Sequence, residues 1–158
     1  MRGKISELRQ TVRSRVSSTS ASDFKQGSTT PTWKEARRPY EILDDSHARN
    51  HLLFSVDVPS VRVLPDARGN YLEGYDLEAD VRVQFIYRIR AGQHTDEDSA
   101  ADAAEAVASS ILTLGEEDHR YGIEPVEIHS AQPTPDGEGL LVEQRYRVRF
   151  TIPFPVEV

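Results

Sequence analysis

The sequence predicts an α+β domain: a four-stranded, mainly antiparallel sheet with two helices on one face, in the order α-β-β-α-β-β, and a long loop after the first helix. Three observations lead there. Odd positions from Leu77 read Leu77, Ala79, Val81, Val83, Phe85, Tyr87 and Ile89. Even positions from Leu140 read Leu140, Val142, Gln144, Tyr146, Val148, Phe150, Ile152, Phe154 and Val156. A period of two over such lengths describes strands with one face on a core. Between them, Ala100, Ala104, Val107, Ile111 and Leu114 recur at helical spacing.

Each element follows from local chemistry. Ile5, Leu8, Val12 and Val16 form a narrow apolar stripe, with Arg9, Arg13 and Arg15 on other sides. That is a short amphipathic helix, unstable alone, which must dock on something. Residues 17–32 are rich in Ser and Thr, hold Gly27 and Pro31, and offer only Phe24 to a core. They read as a flexible loop continuing to about residue 50, and removal of 18–30 is expected to affect folding little. Trp33 lies in this stretch beside Arg37, Arg38 and Tyr40. Trp, Tyr and Arg are the types most enriched at binding hot spots, whereas a structural Trp33 would cap one end of the core.

Leu52, Phe54, Val56 and Val58 mark a strand reaching Pro59, after which Val61 and Val63 resume in the opposite phase. One added residue at a proline signals a bulge or a break. Pro65, Asp66, Ala67, Arg68, Gly69 and Asn70 make a turn, so this strand and the one over 77–90 form a hairpin. Thr95 reads as the N-cap of a helix whose first turn holds Asp96, Glu97 and Asp98, and Gly115 as its stop. A weaker strand over 123–130 and a loop from Gln132 to Gly139 lead into the final strand, completing a second hairpin. Pro153 and Pro155 put the end of that strand at an edge or outside the sheet.

At 158 residues the chain suits a single domain, 1–158, able to bury a real core. Its formal charge of -7 argues against a general nucleic-acid binder. The lack of cysteine excludes disulfides, thiolate metal sites and cysteine nucleophiles. Met1, Arg2, Gly3 and Lys4 precede no apolar run of signal-peptide length, and no stretch approaches the roughly 18 apolar residues of a membrane helix. A soluble protein is expected.

The sheet face opposite the helices is expected to carry Arg82, Arg88, Arg90, Arg145, Arg147 and Arg149, mixed with Glu78, Asp80 and Glu143. Three readings stand open. It is an ordinary exposed face with cross-strand Arg–Glu pairs, a subunit interface meeting acidic surface such as Glu116, Glu117 and Asp118, or a nucleic-acid surface. The two-pronged guanidinium suits the second and third. No catalytic, cofactor-binding or metal-ligating residues are expected. His47 and His51 share a helical spacing with Asp44 and Asp45 upstream, but lack a third defined ligand. There is no Gly-x-Ser-x-Gly elbow and no glycine-rich phosphate loop after a strand.

The short helix with Ile5, Leu8 and Val12, the long polar loop, the strand VRVQFIYRIR over 81–90, the helix TDEDSAADAAEAVASSILTL over 95–114 and the closing strand RYRVRFTIPFPV together resemble phage tail terminator (tail completion) and neck proteins. The likeness is best over 80–158. It implies a structural virion subunit of the tail or neck, assembled in the host cytoplasm as a homo-oligomeric, hexameric ring. Such a ring ends tail-tube polymerisation and joins the tail to the head–tail connector around a DNA channel, without reading sequence. Its partners are the tail tube protein, connector proteins and passing DNA, with no membrane, cofactor or catalysis. Against this stands a monomeric module that takes nucleic acid or a peptide on its arginine face.

One consequence is independent of function. Val83→Asp or Val148→Asp places a carboxylate in the core at a cost of several kcal/mol, so either variant should yield no folded protein by circular dichroism.

Overall fold

The computed structural model describes residues 5–37, 42, 51–64 and 74–153. Helix α1 spans Ile5–Ser17 and buries Leu8, Val12 and Val16 of the expected stripe, while Ile5 at its first position is exposed. A short 3-10 turn at Ser22–Phe24 follows, then strands β1 (Lys34–Glu35), β2 (Leu53–Leu64) and β3 (Gly74–Arg88). Helix α2 covers Thr95–Glu117, and strands β4 (Gly122–Pro133) and β5 (Gly139–Pro153) complete the described elements.

Among the described residues the sheet has five strands in the order β1-β2-β3-β5-β4, where the sequence predicts four. The extra strand, β1, is a two-residue piece parallel to the start of β2, while every other pair is antiparallel. The Lys34 N–H donates to the Leu52 carbonyl at 3.1 Å and the Ala36 N–H to the Phe54 carbonyl at 2.8 Å. Two exposed charged residues have no periodicity to read, which is why the sequence hides this strand. The two predicted hairpins are present and are joined through their second strands, β3 against β5.

That central pair runs from Gly74 opposite Pro153 to Arg88 opposite Gly139 without a register shift. Its apolar face (Leu77, Ala79, Val81, Val83, Phe85 and Tyr87 with Val142, Tyr146, Val148 and Phe150) builds one core with both helices. Helix α1 packs on β2 and on α2, and α2 packs on β4 and β5. At Pro59 the strand bulges and does not break: pairing shifts between Asp57 and Ser60, and Val61 then faces Ala79. The extra residue reverses the phase, as the sequence required. β4 carries two such shifts, at Pro125/Glu127 and Glu127/Ser130.

Two details of α2 differ from expectation. Thr95 does not cap it; the N-cap position is His94, in helical conformation and without a side-chain bond to the first turn. Asp96 organises this end instead. Only 2% exposed, its carboxylate accepts the Arg90 N–H at 2.9 Å and the Arg90 guanidinium at 2.8 and 3.1 Å. Arg90 holds that carboxyl below the usual range despite its burial. Nor does Gly115 stop the helix. It lies in the last turn over Ile123 of β4, and α2 ends at Glu117, where the Asp118 N–H returns to the Leu114 carbonyl.

Gln144, a polar residue in the apolar phase of β5, is fully buried and satisfied. Its amide N–H donates to the Ala104 carbonyl of α2 at 2.7 Å, and its oxygen accepts the Tyr146 hydroxyl at 2.8 Å. A buried amide without partners would cost several kcal/mol; here it ties sheet to helix.

The segment after α1 is anchored more firmly than its composition suggests. Phe24 is 5% exposed and meets Tyr87 edge-on at 6.3 Å. Its carbonyl accepts from His51 Nε2 at 2.8 Å, and His51 Nδ1 accepts from the Arg88 N–H at 3.2 Å. Both ring nitrogens are thereby assigned, with the proton on Nε2. Burial lowers the His51 pKa, and Arg88 and Arg90 push the same way against the Phe24 carbonyl and Asp96. Beside it Leu52 is fully buried at φ 64, a left-handed backbone that only the surrounding packing sustains. Removing 18–30 would take Phe24 out of the core, so the expectation of a harmless deletion is corrected. Phe24→Ala alone should cost about 3 kcal/mol in urea unfolding.

Candidate assembly interface

The face of the sheet away from the helices carries a small apolar cluster at one end (Ala36, Ile42, Leu53, Ile86 and Leu141) and an ion-paired lattice along the rest. Strand β3 supplies Glu78, Asp80 and Arg82; β5 supplies Glu143, Arg145, Arg147 and Arg149. Register places Glu78 between Arg62 of β2 and Arg149 of β5, and Arg82 opposite Asp57. Glu78 is the hub. It lies 2.5 Å from Arg62, 3.0 Å from Arg149 and 3.5 Å from Arg147. Arg62 also reaches Asp80 at 2.9 Å, and Arg82 takes Asp57 through two bonds of 2.6 and 3.0 Å. Arg145 pairs with Glu143 at 3.2 Å, Arg82 lies 3.7 Å from Glu143, and Arg147 lies 3.8 Å from Glu124 of β4. Hydrogen bonds from Arg62 hold the carboxyls of Glu78 and Asp80 below their ordinary values.

This geometry matches the first of the three readings, a face of cross-strand Arg–carboxylate pairs. Arg82, Arg145, Arg147 and Arg149 lie on one surface, but each is matched by at least one carboxylate within 4 Å. The arginines of this face therefore do not add up to a cationic plane. Arg88 ends β3, and its backbone is held by His51 and by Gln26, whose amide donates to the Arg88 carbonyl at 2.6 Å. Arg90 lies beyond β3 and belongs to the start of α2 through Asp96. Trp33 is 8% exposed and meets Phe85 edge-on at 5.3 Å and Phe54 at 6.4 Å, so it closes the core. Arg37 is exposed next to β1. Arg38 and Tyr40 lie outside the described residues, as do His47, Asp44 and Asp45.

Sequence reasoning named Glu78, Asp80 and Glu143 but missed Asp57, Arg62 and Glu124 as members of the lattice. The phase reversal at Pro59 held the signal for Arg62, since it turns that side chain to the face Glu78 occupies.

The two outer strands differ from the centre. β4 is exposed along nearly its whole length on both faces. Val126 is 55% and Ile128 37% exposed there, and Val63 on β2, toward the opposite edge, is 56% exposed. Beyond its two-residue pairing with β1, the outer side of β2 has no strand beside it among the described residues. Among those residues no three of His, Asp and Glu gather to hold a metal ion, and no helix is long and apolar enough to cross a membrane.

Replacing Glu78 with Gln leaves three guanidinium groups without their shared partner. The melting temperature should fall, and the deficit should shrink in molar salt, where the remaining charges are screened. No protein-family model and no curated protein matches this sequence.

Proposed function

We propose that the protein is a structural assembly subunit that works as a closed ring of its own copies, in the manner its resemblance to phage tail terminators and neck proteins implies. The observation that supports this reading is the distribution of exposed apolar side chains. Among the described residues, three of the four large exposed hydrophobics, Val63, Val126 and Ile128, lie on the two strands that flank the central pair, toward opposite ends of the sheet. A protein that functions alone usually shortens or covers such strands. A subunit leaves them for neighbours.

In this reading the ring sits at the head-proximal end of a tail, ends growth of the tail tube and joins it to the connector. DNA passes through without being read. The net charge of -7 suits such a channel, because strong attraction to phosphates would hold the DNA in place. The protein's work is assembly, with no catalytic step and no cofactor. A module binding nucleic acid on its arginine face gains little support, since the guanidinium groups of that face already sit on carboxylates.

Light scattering on the purified chain, and electron cryo-microscopy with tail tubes added, should reveal a ring, with six copies expected. A monomer under both conditions would overturn the reading.

A further inference from the structure

The charges of the chain are sorted across the sheet. Residues 91–138 hold twelve Asp and Glu against a single basic partner, Arg120. They include α2 and β4, which pack together at one end of the strand order. Asp98, Asp102, Glu105 and Glu116 are exposed on α2, Glu124 and Glu127 are exposed on the lattice face of β4 opposite Arg147 and Arg145, and neither α2 nor β4 contains a Lys or Arg. Residues 5–37 are the reverse, with six Lys and Arg against three acids. They form α1, which lies between α2 and β2 and spends Arg15 on Glu117 of α2, and β1, which ends the strand order on the other side. Arg13 of α1 bonds Glu35 of β1, and Arg9 donates to the Val56 carbonyl of β2 at 2.9 Å, which fixes α1 beside that edge. Lys34 and Arg37 are exposed there.

We propose that a second copy of the chain docks head to tail, the acidic α2/β4 flank of one copy meeting the basic α1/β1/β2 flank of the next. The inference rests on the assembly reading above and specifies the contact it needs. Two features point to this occupant. The flanks carry opposite charge, so unlike flanks attract while two β4 flanks repel. Each flank has exposed apolar side chains to bury once charge has aligned the copies: Val63 on one side, Val126 and Ile128 on the other. Because the two surfaces differ, the contact repeats from copy to copy and closes into a ring when the rotation permits.

Two full-length variants test the assignment by light scattering, with circular dichroism to show that each is folded. One reverses the acidic flank (Asp102→Lys, Glu105→Lys, Glu124→Lys and Glu127→Lys), the other the basic flank (Lys34→Glu and Arg37→Glu). Each alone should lose self-association by at least about tenfold, and an equimolar mixture should regain it, because every contact is again between unlike charges. Wild-type assemblies should loosen between roughly 0.05 and 0.5 M salt. If the basic-flank variant assembles like wild type while the acidic-flank variant does not, the contact is β4 against β4 and the proposal fails. It fails equally if both variants keep the wild-type mass, and the assembly reading then survives with another interface. A wild-type chain that stays monomeric, alone and with tail tubes, overturns both. Should the lysine variant not fold, the neutral set Asp102→Asn, Glu105→Gln, Glu124→Gln and Glu127→Gln replaces it, and an unchanged mass would again reject the proposal.

Discussion

The register of β3 against β5 is the constraint on which the rest of the molecule depends. Fifteen consecutive residues of each strand pair without a shift. Side chains alternate between faces, so one register sets the core and the charged lattice at once. With Val83 facing Gln144 and Phe85 facing Val142 toward the helices, Glu78 necessarily faces Arg149 on the other side. A slip of β5 by one residue would drive Arg145, Arg147 and Arg149 toward the core and send Tyr146 and Val148 to water. Burial and charge pairing therefore select the same alignment.

Around this pair the outer elements are fixed by a few polar contacts that each join two pieces of chain. Gln144 links β5 to the middle of α2. Asp96 and Arg90 link the end of β3 to the beginning of α2. His51 links the turn at Phe24 to the end of β3. Each is worth about 1 kcal/mol or somewhat more, small beside the apolar burial, yet each is directional. Apolar faces decide that the helices cover the sheet; these contacts decide where along it they stop.

Legibility followed the number of neighbours an element has. β3 and β5 have strands on both sides and helices above, so every second position is under the same pressure and the alternation is plain. β4 has a strand on one side only and is exposed on both faces, which left a weak pattern and an underestimated length. β1 is two charged residues whose pairing with β2 is through the backbone alone, and backbone bonding leaves no mark on residue type. Gly115 misled because helix propensity is a weak prior once a turn rests on a strand. In the candidate interface, the arginines were visible but their partners on β2 and β4 depended on bulges. The sorting of charge between 5–37 and 91–138 is countable from sequence, but it gains spatial meaning only when topology places those segments on opposite flanks.

The irregularity of β4 has a consequence for how copies of the chain meet. A regular outer strand would offer a template on which any extended peptide could add itself, layer after layer. Pro125 has no amide hydrogen to give, and the two added residues turn successive donors and acceptors out of line. Accretion through the main chain is blocked on this side, while recognition through the side chains of Glu124, Val126, Glu127 and Ile128 stays open. Growth of an aggregate and formation of a defined assembly are thereby separated by local backbone shape.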